Sequence, residues 1–171
     1  MRNKIVLVVI ILLLTIAGIY ILYLYKEKKE EQIDVKKENE NEMVQLFLYQ
    51  NNEIIKKEIY LSKEVNELKK IEKVIEAFIN ELSLPLNKTK LIGVYRDKEN
   101  KIYLDFSSNF SSAMDAKEEF YLLKSIYLTL KTNFSWISDV KILISSSEKE
   151  TLAGHILIDS LKETVGKINE K

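Results

Sequence analysis

Lys101 to Ile144 reads KIYLDFSSNFSSAMDAKEEFYLLKSIYLTLKTNFSWISDVKILI: a segment of period two, a segment of helical period, and a second segment of period two. In Lys101–Phe106 the residues Ile102, Leu104 and Phe106 fall on one side and Lys101, Tyr103 and Asp105 on the other, as in a strand with one buried face. Asp115 with Glu118 makes a capping box, and Phe120, Leu123, Tyr127 and Leu130 supply a buried stripe for the helix it opens. Val140, Ile142 and Ile144 then alternate with Lys141 and Leu143 as a further strand. Strand, helix and strand in this order pack a helix on a sheet, and the predicted class is α+β.

Upstream, Lys90 to Arg96 is a strand joined to Lys101–Phe106 by the turn Asp97–Asn100. Before it, Val65, Leu68, Ile71, Ile75, Phe78, Ile79 and Leu82 recur at three and four residues, which predicts an amphipathic helix capped by Ser62. Ser83-Leu84-Pro85 ends it, because the residue before proline resists helical angles. Met43 to Tyr49 alternates as a strand, Gln50 to Glu53 turns, and Ile54 to Leu61 returns as a weaker strand. Downstream, Ser160 with Glu163 caps a short terminal helix. The expected architecture is two layers, a small sheet of three to five strands packed under two helices, in one domain over residues 43–171.

The N-terminus differs in kind. Ile5 to Tyr25 is twenty-one residues without a charge, fifteen of them Ile, Leu or Val. As a helix the run is roughly 30 Å long, the thickness of a bilayer's hydrocarbon core, so residues 1–25 read as one transmembrane anchor. Thr15-Ile16-Ala17 resembles a signal-peptidase site, but Gly18 to Tyr25 stays apolar beyond it, as a retained anchor requires. Tyr20, Tyr23 and Tyr25 gather where aromatic rings meet headgroups. Arg2 and Lys4 precede the span while Lys26, Lys28 and Lys29 follow it, so positive charge does not set its direction; a short tail before a long apolar run favours an extracytoplasmic C-terminal domain. The sequence holds no cysteine, so it has no thiol for a lipoprotein anchor. Residues 26–42 are Lys, Glu and Asn with few apolar side chains, a charged linker that cannot bury a core.

Twenty-six basic and twenty-six acidic residues balance, with seven of each before Met43, so the domain is balanced too and carries no electrostatic footprint for nucleic acid. Asp105-Phe106-Ser107-Ser108-Asn109-Phe110, the Val140–Ile144 strand and Gly154-His155-Ile156 together resemble the GerMN domain, a family of sporulation and spore-germination proteins. The resemblance covers roughly Val44 to Ser160. It implies a module outside the membrane, anchored by a lipid or a single span, without recognised catalysis, and structurally similar to the ring-building domains of specialised secretion systems. It also marks Asp105, Phe106, Ser107, Phe110, Gly154, His155 and Ile156 as structural positions. The chain departs from the family pattern at Ser145–Ser147, where an Asp-Gly turn is common, at Ile156–Asp159, which lacks a compact ending, and in having a single copy.

Catalytic constellations are weak. His155 is the single histidine, without the close His spacing of a zinc site. A Ser-His-Asp hydrolase would draw on Ser107, Ser108, Ser111, Ser112 or Ser145 with Asp105 or Asp159, yet no Gly-x-Ser-x-Gly elbow occurs. The four glycines are too dispersed for a phosphate-binding loop, and no metal or cofactor is expected. Asp105 is expected to hold backbone donors of the Ser107-Ser108 turn, and Gly154-His155 to form a turn before the last strand. Phe134, Trp136 and Ile137 cluster in a loop, where they either meet a partner or close the bottom of the core. The chain therefore reads as a non-catalytic membrane-anchored module that works by protein contact, self-association included, in sporulation, germination or envelope assembly. The alternative is a module that binds peptidoglycan or assists a wall hydrolase.

Overall fold

A computed structural model describes residues 18–23, 41–82, 88–111 and 114–166. The chain divides into two units, Met1–Asn41 and Glu42–Lys171. In the first, residues 18–23 are helical with exposed side chains; the rest of the Ile5–Tyr25 run and most of the linker lie outside the described residues. Among the described residues no helix is long and apolar enough to cross a membrane.

The second unit opens with a hairpin, β1 (Asn41–Gln50) and β2 (Glu53–Ser62). Asn51 and Asn52, at φ 51° and 69°, form the two-residue turn whose left-handed angles match the twist of the strands. Helix α1 (Glu67–Glu81) follows, then β3 (Leu91–Arg96) and β4 (Lys101–Phe106), a one-turn 3-10 helix at Ser108–Phe110, helix α2 (Ala116–Asn133), β5 (Asp139–Ile144) and the two-residue β6 (Ser147–Glu148). The strands β3-β4-β5-β6 make one sheet, antiparallel, parallel, antiparallel. Parallel β4 and β5 need a crossover, and α2 provides it. A single π-type turn, Lys162–Gly166, closes the described chain; Ser160 Oγ accepts from Glu163 N at its start.

The inner face of the sheet presents Val94, Ile102, Leu104, Phe106, Val140, Ile142 and Ile144 to one core shared with both helices and with Val44, Leu46 and Leu48 of β1. Each fully buried side chain of this type stabilises by roughly 1.5–3 kcal/mol relative to exposure. Phe106 and Phe110 stack at 4.0 Å between centroids, so the 3-10 turn folds its aromatic ring back onto the strand it leaves.

Three expectations change. Helix α1 is capped by Asn66, whose Oδ1 accepts from Leu68 N and Lys69 N, and not by Ser62. Strand β2 runs on to Ser62, which leaves Val65 in the loop, wholly exposed. On α2 the buried face is Glu119, Leu122, Leu123, Ser125, Ile126, Thr129 and Leu130, while Phe120 and Tyr127 are half-buried at its margins. The anticipated stripe was thus rotated about the helix.

The third change is the hairpin, which forms a sheet of its own. The second edge of β1 faces α2. Phe47 N donates to Thr129 Oγ1, Gln45 N donates to Asn133 Oδ1, and Asn133 Nδ2 donates to Gln45 O. Two strand residues advance about 6.7 Å and four helix residues about 6.0 Å, so an i, i+4 row of side chains can stand in for a neighbouring strand over a short distance. The next rung would pair Tyr49 with Ser125, about 1.4 Å out of step by then. Ser125 Oγ is buried without a partner, and the Tyr49 ring stacks instead on Tyr121, 4.9 Å away.

Candidate functional site

Charge buried inside a domain is costly unless it is paired, so buried ionisable groups are where chemistry would be sought. Three are buried among the described residues: Asp105, Glu119 and Lys141.

Glu119 lies in the first turns of α2, fully buried. Its Oε1 accepts from Leu152 N and Ala153 N, both at 2.9 Å, and its Oε2 from His155 N at 3.1 Å. Gly154, at φ 102°, supplies the left-handed residue that lets the loop wrap the carboxylate. Thr151 and Leu157 form an isolated bridge on either side of the loop, so Gly154-His155 lies in a bend, and among the described residues no strand follows it. Charge-assisted bonds of this type are stronger than neutral ones. Glu119 was not among the residues singled out from the sequence. Its signal was its place three and four residues before Leu122 and Leu123, in the apolar stripe.

Asp105 sits on the outer side of β4 and is also fully buried. It does not serve the Ser107-Ser108 turn. Its carboxylate accepts from Ser146 N at 2.9 Å and Ser146 Oγ at 2.8 Å. Ser145 and Ser146, at φ 51° and 61°, are the two central residues of the β5–β6 turn, so the carboxylate offsets part of the strain of two non-glycine residues in left-handed geometry. Ser107 is tied elsewhere: its N donates to Lys90 O and its Oγ accepts from Lys90 N. The motif around Asp105–Phe110 and the motif around Gly154–Ile156 meet where Ser111 Oγ donates to Leu152 O. Ile156 packs half-buried on the core.

Lys141, on β5, pairs with Asp159 at 2.6 Å and Glu148 at 3.0 Å. Hydrogen bonding to Asp159 raises the lysine above its ordinary range, and the same bond holds Asp159 below the usual carboxylate range. A cleft of about 660 Å³ opens nearby, lined by Lys101, Tyr127, Asp139, Lys162 and Glu163 among others. Two of its charges are engaged with each other and with the backbone: Lys101 pairs with Asp139 at 3.2 Å, and Asp139 Oδ1 accepts from Val140 N and Lys162 N. Burial, then the Asp139 charge, pushes the Tyr127 hydroxyl up.

Among the described residues, which leave out Ser112, the serine, histidine and aspartate that a hydrolase would need are not brought together: Asp105 holds Ser146, Asp159 holds Lys141, and exposed His155 is fixed through its backbone. Among the described residues no three His, Cys, Asp or Glu side chains converge on a metal position. Of the two readings of the aromatic cluster, burial favours closing the core. Phe134 and Ile137 are 3% and 1% exposed and pack in the core. Trp136 is half-buried against them, edge-on to Phe134 at 6.3 Å, with the Arg96 guanidinium 4.7 Å over its ring.

These contacts define a small α+β module in which every described buried charge holds the chain's own backbone or another of its side chains. The chain belongs to the Germane family, described as sporulation and spore germination, whose model matches residues 21–150. Among solved structures, the tandem GerMN domains of the sporulation protein GerM from Bacillus subtilis match with a TM-score of 0.53 at 24% identity, over 72% of this chain and 47% of that one. The first GerMN domain of the same protein matches with a TM-score of 0.51 at 21% identity, over 69% of this chain and 96% of that one. A Clostridium perfringens protein described as a candidate lipoprotein matches with a TM-score of 0.50 at 22% identity, over 70% of this chain and 85% of that one. Among curated proteins none matches. The chain thus carries one sporulation and germination domain of GerMN type, and these likenesses are of fold.

Proposed function

We propose that the protein is a single-pass membrane protein presenting one GerMN-type domain outside the cytoplasm, working without catalysis by protein contact in sporulation, germination or envelope assembly. The observation that carries the reading is the use made of Asp105, Glu119 and Lys141: each buried charge is spent on internal structure, which leaves surface shape as the means of action. The uncharged run Ile5–Tyr25 supports the anchor. Where the clostridial relative is described as a candidate lipoprotein, this sequence has no cysteine to acylate, and an apolar span would do the same work.

The test is crosslinking of a functional tagged copy in intact cells through growth and sporulation, with the captured partners identified by mass spectrometry. Recovery of sporulation membrane proteins, or of the protein itself in a ladder, supports the reading. Recovery of peptidoglycan fragments or wall hydrolases alone would replace it with a wall-binding role.

A further inference from the structure

The open end of the β1–β2 hairpin carries three exposed apolar side chains, Met43, Tyr60 and Val65, among the polar Asn41, Ser62 and Lys63. Counting from the two-residue turn, Met43 stands seven positions before Gln50 and Tyr60 seven after Glu53, which sets them opposite each other and on one face. That face points away from the core: their neighbours Val44 and Ile59 are the ones turned inward. Met43 is 51% exposed, Tyr60 70%, and Val65, in the loop that leaves β2, fully exposed. Lys63, exposed in the same loop, has no ion-pair partner among the described residues.

We propose that this end of the hairpin docks on the bilayer that anchors the chain, with Tyr60, Val65 and Met43 seated among the headgroups and Lys63 at anionic lipid. The inference rests on the single-pass anchor of the proposed function. What selects a lipid surface as the occupant is where the chain leaves the domain. Strand β1 begins at Asn41, two residues before Met43, and only Lys26 to Glu40 separates it from the apolar run. Fifteen residues reach at most about 54 Å in any conformation, and the tether joins the domain two residues from Met43, so this patch stays within that reach of the anchoring bilayer. Tethers of this length give effective concentrations on the order of millimolar, enough to populate a contact of three side chains that would be negligible for an untethered protein. A tyrosine with a neighbouring lysine is also a side-chain pairing favoured at the interface.

The absence of native cysteine makes the test direct. Single nitroxide labels are placed at Asn41→Cys, Ile16→Cys and Ser108→Cys of the full chain, reconstituted in phosphatidylethanolamine and phosphatidylglycerol vesicles. Collision with lipid-soluble oxygen is then compared with collision with a water-soluble nickel chelate. The expected result is an oxygen-dominated ratio at 16, an intermediate one at 41 and a nickel-dominated one at 108. Adding Tyr60→Ser and Val65→Ser, both at exposed positions, lowers the ratio at 41 at least about threefold. A ratio at 41 that the two serines leave unchanged overturns the docking while the anchor stands. A nickel-dominated ratio at 16 overturns the anchor and the docking with it. Spin–spin broadening at 41 that the serines abolish, with no change in the oxygen ratio, assigns the patch to a second copy and overturns the lipid assignment.

Discussion

The sheet and the segments that flank it are held by different means. Strands β3, β4 and β5 pair backbone to backbone along their lengths, so their cohesion does not depend on which side chains they carry. On the two flanks, the free backbone edge of β1 and the loop Leu152–His155 are held by side chains of α2, Asn133 and Thr129 on the first and Glu119 on the second, while Lys57–Glu81, Lys70–Glu42 and the core residues of β1 add to the hairpin's hold. A backbone ladder tolerates substitution. A side-chain ladder rests an edge's backbone hydrogen bonds on one or two residues, so the same number of hydrogen bonds is more easily lost.

The sharpest way to break the contrast is Glu119→Ala. Three backbone donors lose their acceptor at once, and the full chain in detergent is expected to lose about 3–5 kcal/mol in urea unfolding. A loss below about 1 kcal/mol would mean that water replaces the carboxylate and the clamp is dispensable. Asn133→Ala comes next, at about 2–3 kcal/mol, since it removes bonds to Gln45 N, Gln45 O and Thr129 O. Hydrogen exchange should show the Gln45 and Phe47 amides losing protection while Leu104 and Ile142 keep theirs; equal loss in both sets would show one cooperative unit instead of two modes of attachment.

Asp159→Asn should act weakly, because Asp159 is largely exposed, and only through pH. Its carboxyl is held below the ordinary 3.8, so the pair's contribution is present above that value and fades as pH falls through the lower folded value. Lys141 is raised above the ordinary 10.5, so its contribution is present below that value and fades as pH rises through the higher folded value. The variant should flatten both limbs of the stability profile, and unchanged limbs would sever the link. The smallest effect belongs to Ser125→Ala, within about 0.5 kcal/mol, because its hydroxyl already lacks a partner. A loss above 1 kcal/mol would show that the third rung closes in solution.

What was legible in the sequence follows the same division. The strand periods of β4 and β5, the Asp97–Asn100 turn and the Asp115–Glu118 capping box are local signals, and the structure contains all of them. The cap of α1 was misplaced because Ser62 and Asn66 are both good caps, and the length of β2 chose between them. Glu119, Thr129 and Asn133 read as ordinary polar helix residues because their partners lie 33 to 88 positions away. Phe134 and Ile137 were ambiguous for a related reason: a loop's apolar residues show no period, so burial had to come from the fold.

The clamp on Glu119 also bears on the order of events during biosynthesis. A polypeptide emerges N-terminus first, whether from a ribosome or through a translocation channel, and residues 152–155 follow Glu119 by 33 to 36 positions. Until they emerge, the Glu119 carboxylate has no internal donors and stays hydrated, which keeps the first turns of α2 from sealing against the core. The clamp therefore closes only once the segment 152–155 has emerged behind the helix.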